Sequence, residues 1–238
     1  MSQLTQAVVA SIREKMPDLG RAALGPEYSY HSLPLCLIDA VFSIGVRYAN
    51  ARKAVEAWCR AQQPNWPLFS SDDGSPARTI SDFLRVADGI DGDTLASKFF
   101  GGNRQRTSSK NGILKAEATV RFARGLHEAG IENFQQMKDD SRIKWAWHTI
   151  RDIPGQGSRL SFDYLLMLAG DDSSIKADRM VCRFVADAAG LPAVSPPVAR
   201  AAVLEASRAL GAEFPNVTPR LLDHLIWSYQ RNRPGIGL

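Results

Sequence analysis

The chain predicts an all-α protein, and three observations support this. No stretch sustains the alternation of apolar and polar residues that marks a strand. β-Branched clusters are few. Apolar residues recur at helical spacing along the chain, punctuated by Ser or Thr caps, first-turn prolines and terminal glycines.

The elements follow in order. Residues 3–16 carry an amphipathic helical pattern. Residues 33–61 read as one long helix, apolar almost all round from Leu33 to Val46, and a helix of that kind is buried on most sides. Its start at Ser32-Leu33-Pro34 offers a cap and a first-turn proline. Residues 62–75, QQPNWPLFSSDDGS, form a loop by composition. Short helices are expected at 76–88 and 92–99, then the polar, basic loop GGNRQRTSSKNG at 101–112. Helices at 113–129, 132–139 and 141–150 come next. Further helices at 158–169 and 178–189 stop at Gly170 and Gly190. Ser195 with Pro196-Pro197 opens a helix ending at Gly211, and Thr218 with Pro219 opens the last one.

With 238 residues, 45% hydrophobic and 23% charged, the chain has the composition of a globular protein of one or two domains. It contains no run of about eighteen apolar residues, so a membrane span is not expected. Residues 1–16, MSQLTQAVVASIREKM, have no basic start followed by an apolar core and do not read as a secretory signal. Cys36, Cys59 and Cys182 sit singly in helical patterns and read as free thiols of a reducing cytoplasm. No Cys/His cluster has metal spacing, so neither metal nor cofactor is expected.

The net charge is +4, and its distribution is uneven. Lys98, Arg104, Arg106, Lys110, Lys115, Arg121 and Arg124 face a single acid, Glu117, within one segment. That segment is +6, which leaves −2 for the rest of the chain. A concentrated basic stretch suits phosphate contacts, although a solvated helix face beside a loop reads the same way.

The most informative stretch is residues 153–161, IPGQGSRLS, between two helical segments. Pro154 cannot continue the helix before it. Gly155 and Gly157 permit backbone angles closed to other residues and let the main chain approach a ligand. The next helix then begins with unsatisfied N–H groups, a ready anion site, and a DNA phosphate is the expected anion. A tight turn between two core helices is the alternative for this motif alone.

Residues 150–185, IRDIPGQGSRLSFDYLLMLAGDDSSIKADRMVCRFV, resemble the signature of the helix-hairpin-helix (HhH-GPD) DNA glycosylase superfamily. In that family an L-P-G-x-G hairpin leads into a helix, a glycine, a short loop, an aspartate and, about five residues on, an arginine. Here these are residues 153–157, Gly170, Asp178 and Arg183. Two weaker matches fall in family order. Residues 35–43, LCLIDAVFS, resemble the early buried helix that ends near the base pocket. Residues 114–117, LKAE, resemble a helix start that often reads K-A-x. Together the matches cover most of residues 33–185.

The resemblance implies two helical lobes with the hairpin at the cleft between them, one of residues 40–170 and the other of 1–39 with 171–238. It implies a monomer that acts on double-stranded DNA. Gly155, Gly157, Ser158 and Arg159 would hold phosphate, and Asp178 would be the catalytic carboxylate. Such an enzyme flips a nucleotide out of the duplex and breaks its glycosidic bond. A carboxylate near the sugar stabilises the positive charge that develops and orients the attacking water. Members that also cleave the strand carry a nucleophilic lysine in the hairpin helix. The matching position is Arg159, which stays protonated, so a monofunctional glycosylase is expected. Lys176, two residues before Asp178, is a displaced nucleophile, a phosphate contact or a solvated lysine. Only Cys182 lies beyond residue 60, so the family's four-cysteine cluster is absent.

Arg104, Arg106 and Lys110 are candidates for further DNA or base contacts. Asp39 is a candidate pocket residue, and Ile44 lies in the turn Ser43-Ile44-Gly45-Val46-Arg47, where the family carries its wedge. Trp145, Trp147 and Trp227 sit in helical patterns and are expected to pack in the core. The alternative to an enzyme of repair or phage defence is a non-catalytic module that keeps the hairpin for binding alone.

Overall fold

The structure is a computed structural model, in which residues 1–25, 28–46, 48–70 and 74–233 are described. Eleven α-helices are present among them, with short 3-10 turns and isolated β-bridges but no strand. None of the described helices is long and apolar enough to cross a membrane. The chain divides into two compact units, one of Met1–Gly25 with Asp171–Leu238 and one of Pro26–Gly170.

The second unit holds seven helices: α2 (Leu33–Phe42), α3 (Tyr48–Ala61), α4 (Ile80–Ala87), α5 (Gly92–Phe99), α6 (Lys115–Glu128), α7 (Asp140–Ile150) and α8 (Leu160–Leu168). α2 is its axis. All ten of its residues are buried, and it packs against α3, α4, α6 and α8. A helix apolar on every side needs neighbours on every side, as its sequence demands. Trp58 of α3 anchors an aromatic cluster, with ring centroids 4.5 Å from Phe83 and 5.5 Å from Phe99 and Phe100. Gly125 brings α6 close to α7, since a Cβ there would lie 2.9 Å from a side-chain carbon of Ile150.

The first unit holds α1 (Gln3–Lys15), α9 (Arg179–Ala188), α10 (Pro196–Gly211) and α11 (Pro219–Arg231). It has its own apolar core, built from Val8, Ile12, Phe184, Val203, Leu222 and Ile226 among others. α1 lies on α9 and α10, and α10 and α11 both pack on α9. Thr5 donates to Glu205 at 2.6 Å, tying α1 to α10.

Several expected boundaries move. The expected single helix at 33–61 is two helices, α2 and α3. Gly45 has φ +71°, a left-handed backbone that ends a helical run. The buried Lys115 ammonium donates to the carbonyls of Phe42 at 2.9 Å and Ile44 at 2.7 Å, which caps the end of α2. The expected helix at 132–139 is reduced to a 3-10 turn at Gln136–Lys138. α4 begins later than expected, where Thr79 and Asp82 form a capping box. The first boundary between the units falls after residue 25 and not at 39/40, because α2 is one continuous buried helix belonging to a single core.

Candidate functional site

The hairpin is a tight succession of turns between α7 and α8. Ile153 N–H donates to the Ile150 carbonyl, Gln156 N–H to Ile153, and Arg159 N–H to Gln156. Gly155 sits at φ +84°, where L side chains are strained. A Cβ there would also lie 2.6 Å from Thr107, so the position excludes a side chain twice over. Gly157 is different: its φ is not positive, and an added Cβ would make only ordinary contact with the Arg151 carbonyl at 3.7 Å. Gly157 and Ser158 are exposed. α8 starts without a side-chain cap, unlike α4, α5 and α7 of the same unit.

Arg159 takes the left-handed backbone, φ +67°, just before α8. Its Nε donates to Asp163 at 2.9 Å, and its guanidinium lies 5.0 Å from the Trp147 ring centroid and 5.1 Å from that of Phe162. The side chain is 38% exposed. It folds back over α8 and Trp147, closing one side of the hairpin and leaving part of its charge at the surface.

The basic loop meets the hairpin. Thr107 Oγ1 donates to the Pro154 carbonyl at 2.7 Å and accepts the Ile113 N–H at 3.2 Å. Thr107 N–H donates to the Ile113 carbonyl at 2.9 Å, so the loop is a closed hairpin of its own. Two stretches far apart in sequence thus form one surface feature, joined at Thr107. Nothing in the sequence marked that residue.

The basic run does not present one charged face. Lys115 is 1% exposed. Arg104 pairs with Asp93, Arg121 with Glu117 and Arg124 with Asp88. Arg106 donates to the Gly112 carbonyl at 2.6 Å. Lys110 is exposed. The acids that neutralise two of these arginines come from outside the segment, which a count within it misses.

Asp178 is the N-cap of α9. Its Oδ1 accepts Met180 N–H at 2.7 Å and Val181 N–H at 3.3 Å. Its Oδ2 meets no hydrogen-bond donor among the described residues, and the side chain is half-buried. The loop before it is tightly built. Asp171 accepts from Ser173 and Ser174, Arg220 N–H donates to the Asp172 carbonyl, and Asp178 N–H donates to the Lys176 carbonyl at 2.6 Å. The Lys176 N–H donates to Oδ2 of Asp223 at 3.0 Å. Asp223, in α11, escaped the sequence reading. Burial and the nearby Asp178 charge push its carboxyl well above the usual carboxylate range. The only signal was an acid in the apolar stripe of the last helix, with Leu222 and Ile226 beside it.

Asp39 is fully buried and accepts from the Tyr30 hydroxyl at 2.8 Å, so it lies within the core of its unit. Ile44 is half-buried in the turn that Lys115 holds. Arg47, the end of that turn, is outside the described residues. Trp145 is 60% exposed, against the expectation of core packing, because it falls on the outer face of α7 with Ser141 and Lys144. Trp147 does pack inward, its ring 5.3 Å from Phe162. Trp227 is half-buried at the surface, stacked 6.4 Å from His224.

No curated protein and no solved structure matches the chain. One family model does, over residues 6–231, and it describes a domain of unknown function, DUF8548. With nearly its whole length matched, the chain belongs to that family.

Proposed function

We propose that the protein is a monofunctional DNA glycosylase that flips a damaged, mismatched or modified base from a duplex and removes it by hydrolysis. The observation that carries this reading is the pairing of two built features in the order the glycosylase signature demands. One is the Pro-Gly-x-Gly turn, with both glycines exposed, opening a helix without a side-chain cap. The other is a half-buried aspartate at the head of a later helix, one oxygen of which meets no hydrogen-bond donor among the described residues.

Each feature supports one half of the reaction. Gly157 and Ser158 suit a phosphate oxygen, because they are exposed main-chain donors beside the positive end of α8. They would hold the duplex backbone without reading its sequence. Asp178 has the geometry of a fixed carboxylate. Two α9 amides anchor Oδ1, which leaves Oδ2 to face a developing sugar cation or a water. No amine sits at residue 159, so water is the nucleophile in this scheme. The reading requires the hairpin of one unit and Asp178 of the other to address the same duplex.

The test is a panel of duplexes carrying deaminated, alkylated, oxidised and hydroxymethylated bases, incubated with the protein and then heated in alkali to break the strand at abasic sites. The glycosylase reading expects alkali-dependent cleavage of at least one duplex. Binding to DNA with no cleavage of any duplex would instead support the non-catalytic module.

A further inference from the structure

We propose that Asp223 and Arg200 are positioning residues that clamp the Ile175–Lys176 peptide and so fix Asp178 at the head of α9. This inference rests on Asp178 being the catalytic carboxylate.

The clamp grips one peptide group from both ends. Arg200 of α10 donates from Nη1 to the Ile175 carbonyl at 3.1 Å. Asp223 of α11 accepts the N–H of the same peptide at 3.0 Å. The Lys176 carbonyl then accepts the Asp178 N–H at 2.6 Å. Asp178 is thus tied through one residue to two helices that pack on α9 or on each other.

The backbone needs these partners. Ile175 belongs to the apolar core of its unit and Ala177 is 6% exposed, so the peptide groups joining them to Lys176 are flanked by buried side chains. Peptide groups buried there without partners cost free energy comparable to a lost hydrogen bond. A leucine at 223 would pack well but would leave the Lys176 N–H unanswered. An asparagine at 223 would still accept it.

The carboxyl sits among charges from every element around it. Asp178 caps α9, Lys176 lies in the loop and Arg200 projects from α10. Burial and the Asp178 charge push the Asp223 carboxyl well above the usual carboxylate range, while its Oδ2 accepts the Lys176 N–H.

The experiment compares Asp223→Asn, Asp223→Leu and Arg200→Met with wild type by two readouts. The first is amide hydrogen exchange at Lys176 and Asp178, read by NMR on the full chain with no DNA present. Protection at both amides is expected in wild type and Asp223→Asn. It should be lost at both in Asp223→Leu and at Asp178 in Arg200→Met. The second is single-turnover excision on any duplex of the panel that wild type cleaves. Asp223→Leu should lower the rate by roughly 100-fold at unchanged DNA affinity, as a misplaced catalytic group does, with Asp223→Asn restored to near wild type. Lys176 exchanging as slowly in Asp223→Leu as in wild type would overturn the clamp. So would an unchanged rate in Asp223→Leu. If wild type cleaves no duplex, the glycosylase reading falls, and the exchange data still decide whether the clamp exists.

Discussion

At the scale of single residues, the chain places an ionisable group where burial makes charge costly. Asp223 is the clearest example, and its effect on stability has a definite sign. Its pKa is raised in the folded state, so the folded protein binds more protons than the unfolded chain once pH climbs past the ordinary carboxylate value. Stability contributed by this group is fully present in acid and falls as pH rises from that value towards the folded-state pKa. Asp223→Asn removes the titration and keeps the acceptor. Its melting temperature should therefore exceed wild type at neutral pH, with the gap closing towards pH 4, as followed by thermal denaturation across that range. A gap that widens in acid would show the carboxyl to be stabilised as an anion. Arg159 bears on chemistry. With a guanidinium folded onto Asp163 and Trp147 and no amine at that position, borohydride added during turnover should trap no covalent protein–DNA adduct. An adduct lost in Lys176→Ala would reassign Lys176 as a nucleophile.

At the scale of elements, the hairpin and the end of α2 are the two places where a local device sets geometry. Gly155→Ala demands a left-handed alanine, which costs about 1–2 kcal/mol, and forces Thr107 away. The variant should melt lower and lose DNA affinity equally for all sequences, measured by fluorescence anisotropy on unrelated duplexes. Gly157→Ala should be milder, because neither its backbone angle nor its surroundings exclude a Cβ. Lys115→Met keeps the stem and deletes the ammonium that caps α2. Leaving the Phe42 and Ile44 carbonyls without that donor should cost about 1–3 kcal/mol in chemical denaturation and loosen the turn that carries Ile44. Sequence reading recovered most helices, since caps, prolines and apolar spacing are local. It ran α2 and α3 together because the break depends on a lysine more than sixty residues away. It placed a turn between α7 and α8 but not the dock of that turn, since Thr107 gains meaning only by touching Pro154.

At the scale of the whole molecule, each unit carries its own core, and each holds one half of the proposed machinery: the hairpin in residues 26–170, Asp178 and its clamp in the other. The all-helical class was legible because periodicity accumulates over the entire chain. The charge reading was not, because Asp88 and Asp93 neutralise arginines of the basic run through folding alone. Exposed pairs of that kind are weak, about 0–1 kcal/mol, and yield to a phosphate. Affinity for undamaged duplex should accordingly fall linearly with salt on a logarithmic plot, with a slope of about −0.9 for each phosphate engaged. Asp88→Asn with Asp93→Asn should tighten binding by freeing two cations. Affinity indifferent to salt would exclude a phosphate-gripping role for the hairpin.

Asp178→Asn separates a catalytic carboxylate from one that only caps a helix. Asparagine caps a helix about as well as aspartate, so α9 and the loop before it should stay intact. The measurement is the rate of abasic-site formation on the duplex that wild type cleaves, alongside the DNA affinity of both proteins. Affinity should be unchanged and the rate lowered by at least about 100-fold, the loss expected when a catalytic carboxylate is replaced by its neutral isostere. Equal rates for the two proteins would contradict a catalytic role for Asp178.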